Sequence, residues 1–302
     1  MPPGTLLLKN TASISHAAFR LDLGFDTLPP LFRMKSLLVL LSLALAASAA
    51  EPVRQTWTVD GVTREALVHV PAATADAKPA PLIFFFHGRN GKVEQVAKQH
   101  PLHQHWPEAV IVYPQGLPTP ALGGKGNDVK PGWQGLKGIQ GDRDLRFFDV
   151  MLDAVKKAHR IDERSIYLTG SSNGGGMTFL LWAERGSIFA AIAPSCTSAR
   201  AMITVNGEAS ITNLIAVPSF HIAGEKDTTV PLVDQVKTIA LLREARHLGP
   251  AQPWGDPPVP GCTLYPSTSG APLITWIYPG GHGLPTNSAP LLVKFFQQHA
   301  KP

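Results

Sequence analysis

A serine in a glycine-flanked turn is the clearest sign of chemistry in this sequence. Residues 170–174 read Gly-Ser-Ser-Asn-Gly, a G-x-S-x-G pattern between a β-rich apolar run and a segment with helical character. In such a turn the glycines have no Cβ atoms to collide with the strand and the helix. The turn can therefore be tight enough to expose the Ser172 hydroxyl above a sheet. A phosphate-binding turn is the rival interpretation, but no Gly-Lys-Ser/Thr sequence follows. The pattern predicts Ser172 as a nucleophile.

A neutral serine needs a base within hydrogen-bond reach, and eleven histidines could supply it. His282 lies in a glycine-rich turn, residues 280–283, after the last apolar strand and before the last helix. Where a catalytic serine lies in a turn between a strand and a helix, the acid follows it in the chain and the histidine comes last. His282 stands at the position that this order requires. A loop histidine can also be merely solvated, but this position and its glycines favour His282 as general base.

An acid that orients the histidine should follow the strand between Ser172 and His282. Residues 219–223 form that apolar run, and Asp227 lies in the turn after it. Its carboxylate could accept the hydrogen bond that sets the histidine tautomer. Glu225 and Asp234 are the alternatives, and any of the three could instead serve only a turn or a helix cap. The position in the turn favours Asp227.

Backbone donors for a developing oxyanion are expected at two places. The N–H of Asn173 opens the helix after the serine, where the helix dipole also favours negative charge. A second donor should follow the first buried strand, at residues 87–91. We assign it to the N–H of Arg89, with Asn90 as the alternative. His87 is a candidate substrate contact, although a structural hydrogen-bonding role suits it better than that of a second base.

The elements that must position these residues alternate between β-rich runs and amphipathic stretches. Such alternation predicts an α/β fold with a mostly parallel sheet flanked by helices, in a single domain over residues 50–302. The predicted strands are 55–59, 66–71, 81–86, 109–113, 165–169, 189–193, 219–223 and 273–278. The predicted helices are 144–159, 177–183, 236–246 and 289–299.

A long Gly- and Pro-rich loop, residues 115–138, carries Trp133. Trp133 could stack on an aromatic acid or a sugar, or pack on the domain surface. This loop and residues 249–269 are expected to set specificity. The acidic residues Asp142 and Asp144 flank Arg143; helix capping and a local ion pair explain them better than a cation site.

The N-terminus has the form of an export signal that begins at Met34. Lys35 supplies the positive region, residues 36–46 are apolar, and residues 47–49 have the small-x-small form of a cleavage site. The apolar run is shorter than the ~20 residues that span a bilayer, which disfavours a membrane anchor. We therefore expect a signal peptide at 34–49, and residues 1–33 as an extension from a misassigned upstream start.

Charge and cysteine content narrow the range of partners. The formal net charge is +5, and it is not gathered into a basic run, so a nucleic-acid partner is not implied. The two cysteines, Cys196 and Cys262, could pair in an oxidising compartment or remain two buried thiols. No metal-binding cysteine cluster is present in the sequence.

Together these features resemble the secreted esterases of the polyhydroxybutyrate depolymerase-like and feruloyl esterase (carbohydrate esterase) families. The resemblance covers nearly all of residues 51–302. It depends on the residues after the first buried strand, on Trp133 ahead of 141–149, on the Ser172 turn, on 224–231 and on His282. It implies an α/β-hydrolase fold, a Ser–His–Asp triad, no cofactor, and esters of hydroxycinnamates, acetylated xylan or short polyesters as substrates.

Two departures from that resemblance bear on function. The turn carries three consecutive glycines, Gly174 to Gly176. The last predicted helix is not followed by a linker and substrate-binding domain of the kind found in modular polyester depolymerases, so we expect soluble esters rather than solid polymer as substrates. An acyltransferase on the same machinery and a non-catalytic wall-binding protein are the rival functions, and the oligomeric state stays open.

Overall fold

The computed structural model describes residues 50–72, 78–121 and 128–302. The expected signal peptide and the N-terminal extension lie outside these described residues. From residue 50 onward the described residues cluster into one compact unit. No helix in this part of the chain is long and apolar enough to cross a membrane.

Twelve strands occur among the described residues, ten of them in one sheet. They are β1 (Val53–Val59), β2 (Val62–His69), β3 (Ala80–Phe86), β4 (Val110–Pro114), β5 (Leu117–Pro120), β6 (Val129–Gly132), β7 (Ile161–Ser171), β8 (Ala191–Ser195), β9 (Ser219–Gly224), β10 (Gln252–Pro253), β11 (Cys262–Tyr265) and β12 (Leu273–Tyr278). The sheet order is β1-β2-β4-β3-β7-β8-β9-β12-β11-β10.

The centre of the sheet is parallel and its two margins are antiparallel. Parallel pairs join β4, β3, β7, β8, β9 and β12 in turn. The β1–β2 hairpin pairs antiparallel at one margin, and β11 and β10 extend the other. The central strands β4, β8 and β9 are buried throughout, as expected for strands covered on both faces.

Eight α-helices in the described ranges cover the two faces. They are α1 (Val93–Gln99), α2 (Leu102–His105), α3 (Arg143–Ala158), α4 (Asn173–Arg185), α5 (Arg200–Asn206), α6 (Ala209–Thr212), α7 (Leu232–Ala245) and α8 (Ser288–Gln297). Alternate residues of β3 enter different cores because successive side chains point to opposite faces. Phe84 and Phe86 pack with α3 and α4, whereas Ile83 and Phe85 pack with α1 and α8.

The predicted α/β fold is confirmed, with every predicted strand and helix present and end points shifted by a few residues. The prediction of an irregular loop at 115–138 was incomplete, because β5 and β6 pair antiparallel within it. The sequence patterns did not predict the short helices α1, α2, α5 and α6 or the marginal strands β10 and β11. These elements are too short to show a periodic pattern.

Candidate active site

Ser172 stands in a strained turn at the carboxyl end of β7. Its backbone has φ +56° and ψ −118°, a conformation that side chains rarely adopt, and α4 begins at the next residue. A Cβ at Gly174 would lie 2.1 Å from the carbonyl oxygen of Phe86, and one at Gly170 would lie 2.3 Å from the Gly174 carbonyl oxygen. Only glycine at both positions lets helix and strand approach this closely.

Three side chains from separate strand ends form one hydrogen-bonded chain. The Ser172 Oγ lies 2.8 Å from Nε2 of His282, and Nδ1 of His282 lies 2.9 Å from Oδ2 of Asp227. Ser172 follows β7, Asp227 follows β9 and His282 follows β12, so parallel strands deliver all three to the same edge of the sheet. This network assigns the proton of the neutral imidazole to Nδ1 and leaves Nε2 to accept from the serine hydroxyl.

The Asp227 carboxylate is buried, with 5% of the residue exposed, and is well supplied with donors. Its Oδ1 accepts from the N–H groups of Thr229 and Val230, each at 2.9 Å, and its Oδ2 accepts from Nε2 of Gln235 at 3.2 Å. These donors compensate the cost of burying a negative charge. They also hold the oxygen that faces His282.

The two alternative acids lie elsewhere. Glu225 is exposed, and Asp234 forms a 3.2 Å ion pair with Arg200. The structure therefore brings Asp227, and neither alternative, to the histidine.

The His282 turn is fastened to the Asp227 turn through backbone contacts. The Lys226 N–H donates to the carbonyl of Gly280 at 2.8 Å, and the Tyr278 hydroxyl donates to the carbonyl of Gly281 at 2.7 Å. A Cβ on Gly224 would lie 2.2 Å from the Gly281 oxygen. The two turns thus form one unit that sets the distance between acid and histidine.

Two backbone N–H groups near Ser172 are available to a ligand. Asn173 is the first residue of α4, so its N–H has no partner inside the helix. The N–H of Arg89 has no acceptor within the described residues, whereas the N–H of Asn90 donates to the carbonyl of Pro131 at 2.7 Å. Between the two candidates for the second oxyanion donor, the geometry favours Arg89.

His87 is not a substrate contact, which corrects that candidate assignment. The residue is only 1% exposed. Its Nδ1 lies 2.6 Å from the carbonyl oxygen of Gly88, and its Nε2 accepts from the N–H of Gly116 at 2.9 Å. Burial lowers the pKa of His87 below its ordinary value, so the ring is neutral and joins two loops. This is the structural role that the sequence also allowed.

Trp133 borders the active-site cleft, but its ring is 1% exposed. The ring packs edge-on against Phe86 at 4.8 Å between centroids, and its Nε1 donates to the carbonyl of His87 at 2.8 Å. Stacking on a substrate needs an exposed ring face, so that interpretation was wrong and the packing alternative is the one observed. The side chain of Asn173 holds the Trp133 backbone, accepting its N–H at 2.7 Å and donating to its carbonyl at 3.1 Å.

A cleft of about 720 Å³ opens over Ser172 and His282. Its walls combine apolar side chains, from Pro120, Ala121 and Ile139, with polar and charged ones, from Arg89, Asn90, Asp128, Lys130 and Gln140. The Arg89 guanidinium pairs with Asp128 at 3.0 Å and donates to the Thr119 carbonyl at 2.9 Å, which ties the β5–β6 ribbon to the site. Such a lining suits a ligand that has both apolar and polar groups.

The acidic residues Asp142 and Asp144 at the start of α3 do not cap it through their side chains, contrary to expectation. Asp144 forms a buried ion pair with Arg64 at 2.8 Å and accepts the N–H of Gln134 at 2.8 Å. Asp142 accepts the N–H of Gly138 at 2.7 Å. Both carboxylates therefore anchor the loop that ends beside the cleft.

Cys196 and Cys262 are both free and buried, so of the two alternatives the structure has the unpaired thiols. The Cys196 Sγ lies 3.6 Å from the Tyr278 hydroxyl, and burial raises the pKa of Cys196 above its ordinary value. Burial raises the pKa of Cys262 to about 12. Within the described ranges, no three His, Cys, Asp or Glu side chains are grouped as a metal site.

Comparisons with known proteins identify the class and the relatives. Among solved structures, a ferulic acid esterase superposes with a TM-score of 0.57 at 15% identity, covering 82% of this chain and 97% of that one. An acetyl xylan esterase from Aspergillus awamori gives 0.57 at 15% identity, covering 81% and 99%. The chain has the α/β-hydrolase fold. No protein-family model matches it.

The resemblance inferred from the motifs is confirmed by curated sequences. The chain is 28% identical over 166 residues to a bifunctional acetylxylan esterase/xylanase of Neocallimastix patriciarum, covering 53% of this chain and 21% of that protein. It is 29% identical over 175 residues to feruloyl esterase C of Emericella nidulans, covering 51% and 58%. The chain thus matches less than two thirds of the length of these relatives.

Proposed function

We propose that this chain is a serine carboxylic-ester hydrolase that acts on plant cell-wall esters, with feruloyl esters as the first candidates. The observation that carries the proposal is the hydrogen-bonded chain from Ser172 through His282 to Asp227, at a strained turn beneath an open cleft. The names of the sequence relatives, feruloyl and acetylxylan esterases, support the substrate class.

The geometry supports a two-step reaction through an acyl-enzyme. Ser172 Oγ attacks the ester carbonyl carbon while its proton passes to Nε2 of His282. The carbonyl oxygen becomes an oxyanion, which the N–H groups of Asn173 and Arg89 stabilise. The bond to the alcohol oxygen then breaks as His282 returns its proton to that oxygen. Water repeats the sequence on the acyl-enzyme, releases the acid and restores the serine hydroxyl.

We also propose that the enzyme is exported. The support is the signal-like segment at 34–49, together with substrates that lie outside cells. Neither a nucleic acid nor a cofactor enters the proposed reaction.

The test is hydrolysis by the purified chain of methyl ferulate, p-nitrophenyl acetate, p-nitrophenyl butyrate and a hydroxybutyrate oligomer. We expect preference for ferulate, and Ser172→Ala should remain folded with turnover reduced by several orders of magnitude. Undiminished turnover in Ser172→Ala would contradict the mechanism. A preference for the oligomer would support a polyester depolymerase instead.

Two further readouts separate the rival functions. Transfer of the acyl group to an added alcohol in preference to water would indicate an acyltransferase. Failure of Ser172 to react with a fluorophosphonate probe would favour a non-catalytic binding protein.

A further inference from the structure

Two recesses meet at Ser172. The cleft of about 720 Å³ described above and a smaller pocket of about 180 Å³ both reach this residue. Gly135, Ser172 and Asn173 line both. An ester bound to Ser172 extends in two directions from its carbonyl carbon, so each recess can receive one half of the substrate.

Given the function proposed above, the position of His282 determines which recess receives the alcohol half of the ester and which receives the acyl half. It lines the large cleft and does not line the small pocket. In the reaction His282 must give its proton to the oxygen of the departing alcohol. The alcohol therefore has to lie in the cleft with His282, and the acyl group extends into the small pocket. The charged and amide side chains of the cleft, from Arg89, Asn90, Asp128, Lys130 and Gln140, agree with a sugar as the alcohol because they can hydrogen-bond to its hydroxyls.

The small pocket has the character of an apolar acyl site. Away from Ser172, its lining side chains are mainly apolar, from Phe179, Met202, Ala199, Ala201 and Val230, with the hydroxyls of Thr197 and Ser198. Its volume slightly exceeds that of an apolar cavity of about 150 Å³ that binds benzene. A single aromatic ring or a short aliphatic chain fits this space. Ala201 and Val230 also line a neighbouring groove of about 550 Å³, so the pocket is not a sealed cavity.

Gly176 supplies part of that space by having no side chain. It lies in the first turn of α4, three residues before Phe179 and so on the same helix face. A Cβ at Gly176 would meet nothing within 4 Å. The two preceding glycines differ, since a Cβ at Gly174 or Gly175 would lie 2.1 Å or 2.6 Å from its nearest neighbour. Packing therefore requires Gly174 and Gly175 but not Gly176.

We infer that the small pocket binds the acyl group and that Gly176 determines specificity by leaving room for a ring-sized acyl group beside Ser172. A larger side chain at this position would project into the pocket. It would obstruct bulky acyl groups more than acetyl.

The test compares two esters that share an alcohol, p-nitrophenyl ferulate and p-nitrophenyl acetate, so that only the acyl group differs. In Gly176→Leu the ratio of kcat/KM for ferulate to that for acetate should fall at least about tenfold. Gly176→Ala should lower the ratio less. The matched control is Ala183→Leu, which introduces the same leucine side chain at an exposed position of α4 and should leave the ratio as it is.

The outcomes separate this inference from the proposed function. An unchanged ratio in Gly176→Leu, with acetate turnover still abolished in Ser172→Ala, would overturn the pocket assignment and leave the esterase intact. Failure of the unaltered chain to hydrolyse the ferulate while hydrolysing the acetate would also overturn it. If Gly176→Leu instead changed the preference between methyl ferulate and a sugar-linked ferulate, the pocket would bind the alcohol. Gly176→Ala provides the same test if the leucine variant does not fold.

Discussion

Gln235 is a buried residue that sequence reasoning missed, and it links the acid to the body of the fold. It lies on α7, with none of its surface exposed. Its Nε2 donates to Oδ2 of Asp227 at 3.2 Å and to the Val230 carbonyl at 2.8 Å, while its Oε1 lies 3.3 Å from Nε2 of His221. Because Gln235 lines neither recess at Ser172, it is a positioning residue that acts through Asp227.

Replacing Gln235 with the similarly sized apolar side chain of methionine should lower kcat about tenfold, the kinetic equivalent of one hydrogen bond to a charged group. KM should change little, since the cleft is untouched. Steady-state kinetics with p-nitrophenyl acetate measures kcat and KM separately and so checks that only kcat falls.

Thr238→Val is the matched control for that variant. Thr238 lies on the same buried face of α7, and its hydroxyl accepts the N–H of Ala199 at 3.1 Å, away from Asp227. We expect Thr238→Val to lower the stability of the protein and to leave kcat unchanged. An unaltered kcat in folded Gln235→Met would exclude the positioning role.

At the scale of elements, a buried ion pair connects the hairpin, the long loop and α3. Arg64 of β2 and Asp144 of α3 are 2% and 0% exposed, and the guanidinium also lies 4.1 Å from the ring centroid of Phe147. The N–H of Asp144 donates to Oε1 of Gln134 at 3.0 Å, one residue after Trp133. The loop beside the cleft is thereby fixed to the sheet.

Asp144→Ala should therefore lower the free energy of unfolding by about 3–5 kcal/mol, because it leaves the Arg64 charge buried and unpaired. Chemical denaturation gives the value. Asp149→Ala is the control on the same helix, since its partially exposed pair with Arg185 should contribute at most about 1 kcal/mol. Equal losses for the two variants would show that burial of the first pair does not matter.

At the scale of the whole molecule, buried neutral histidines couple stability to pH. Burial lowers the pKa of His100 and of His221 to about 4, from an ordinary value of 6.5. Well above pH 6.5 both residues are neutral in the folded and the unfolded state, so the full stability is present. As the pH falls from 6.5 toward 4, the unfolded chain binds protons that the folded chain does not, and stability declines.

The loss should reach roughly 2 kcal/mol per histidine at pH 5. Urea denaturation at pH 7 and pH 5 measures it, and His100→Gln should reduce the difference between the two values by about that amount. His105→Gln, at an exposed histidine of α2, is the control that should leave the difference as it is. A pH dependence that His100→Gln does not alter would rule out this account.

Local sequence determined the elements and the order of the candidate site residues. The apolar runs predict strands because a strand buried on both faces needs apolar side chains on both. The glycines around Ser172 predict the turn because a Cβ at those positions would not fit it. Placing Ser172, Asp227 and His282 after three parallel strands of one sheet was enough to predict that they meet. Short elements and the ribbon within residues 115–138 lacked a repeating pattern, so they could not be foreseen.

Tertiary structure alone decided what these elements touch. Ser172 and His282 are 110 positions apart, and the Arg64–Asp144 pair spans 80. The burial of the Trp133 ring, the unpaired thiols of Cys196 and Cys262, and the space at Gly176 likewise depend on which surfaces the folded sheet brings together. A residue type and its neighbours in sequence specify backbone conformation, whereas burial and partners depend on distant segments, and the chemistry of this site requires both.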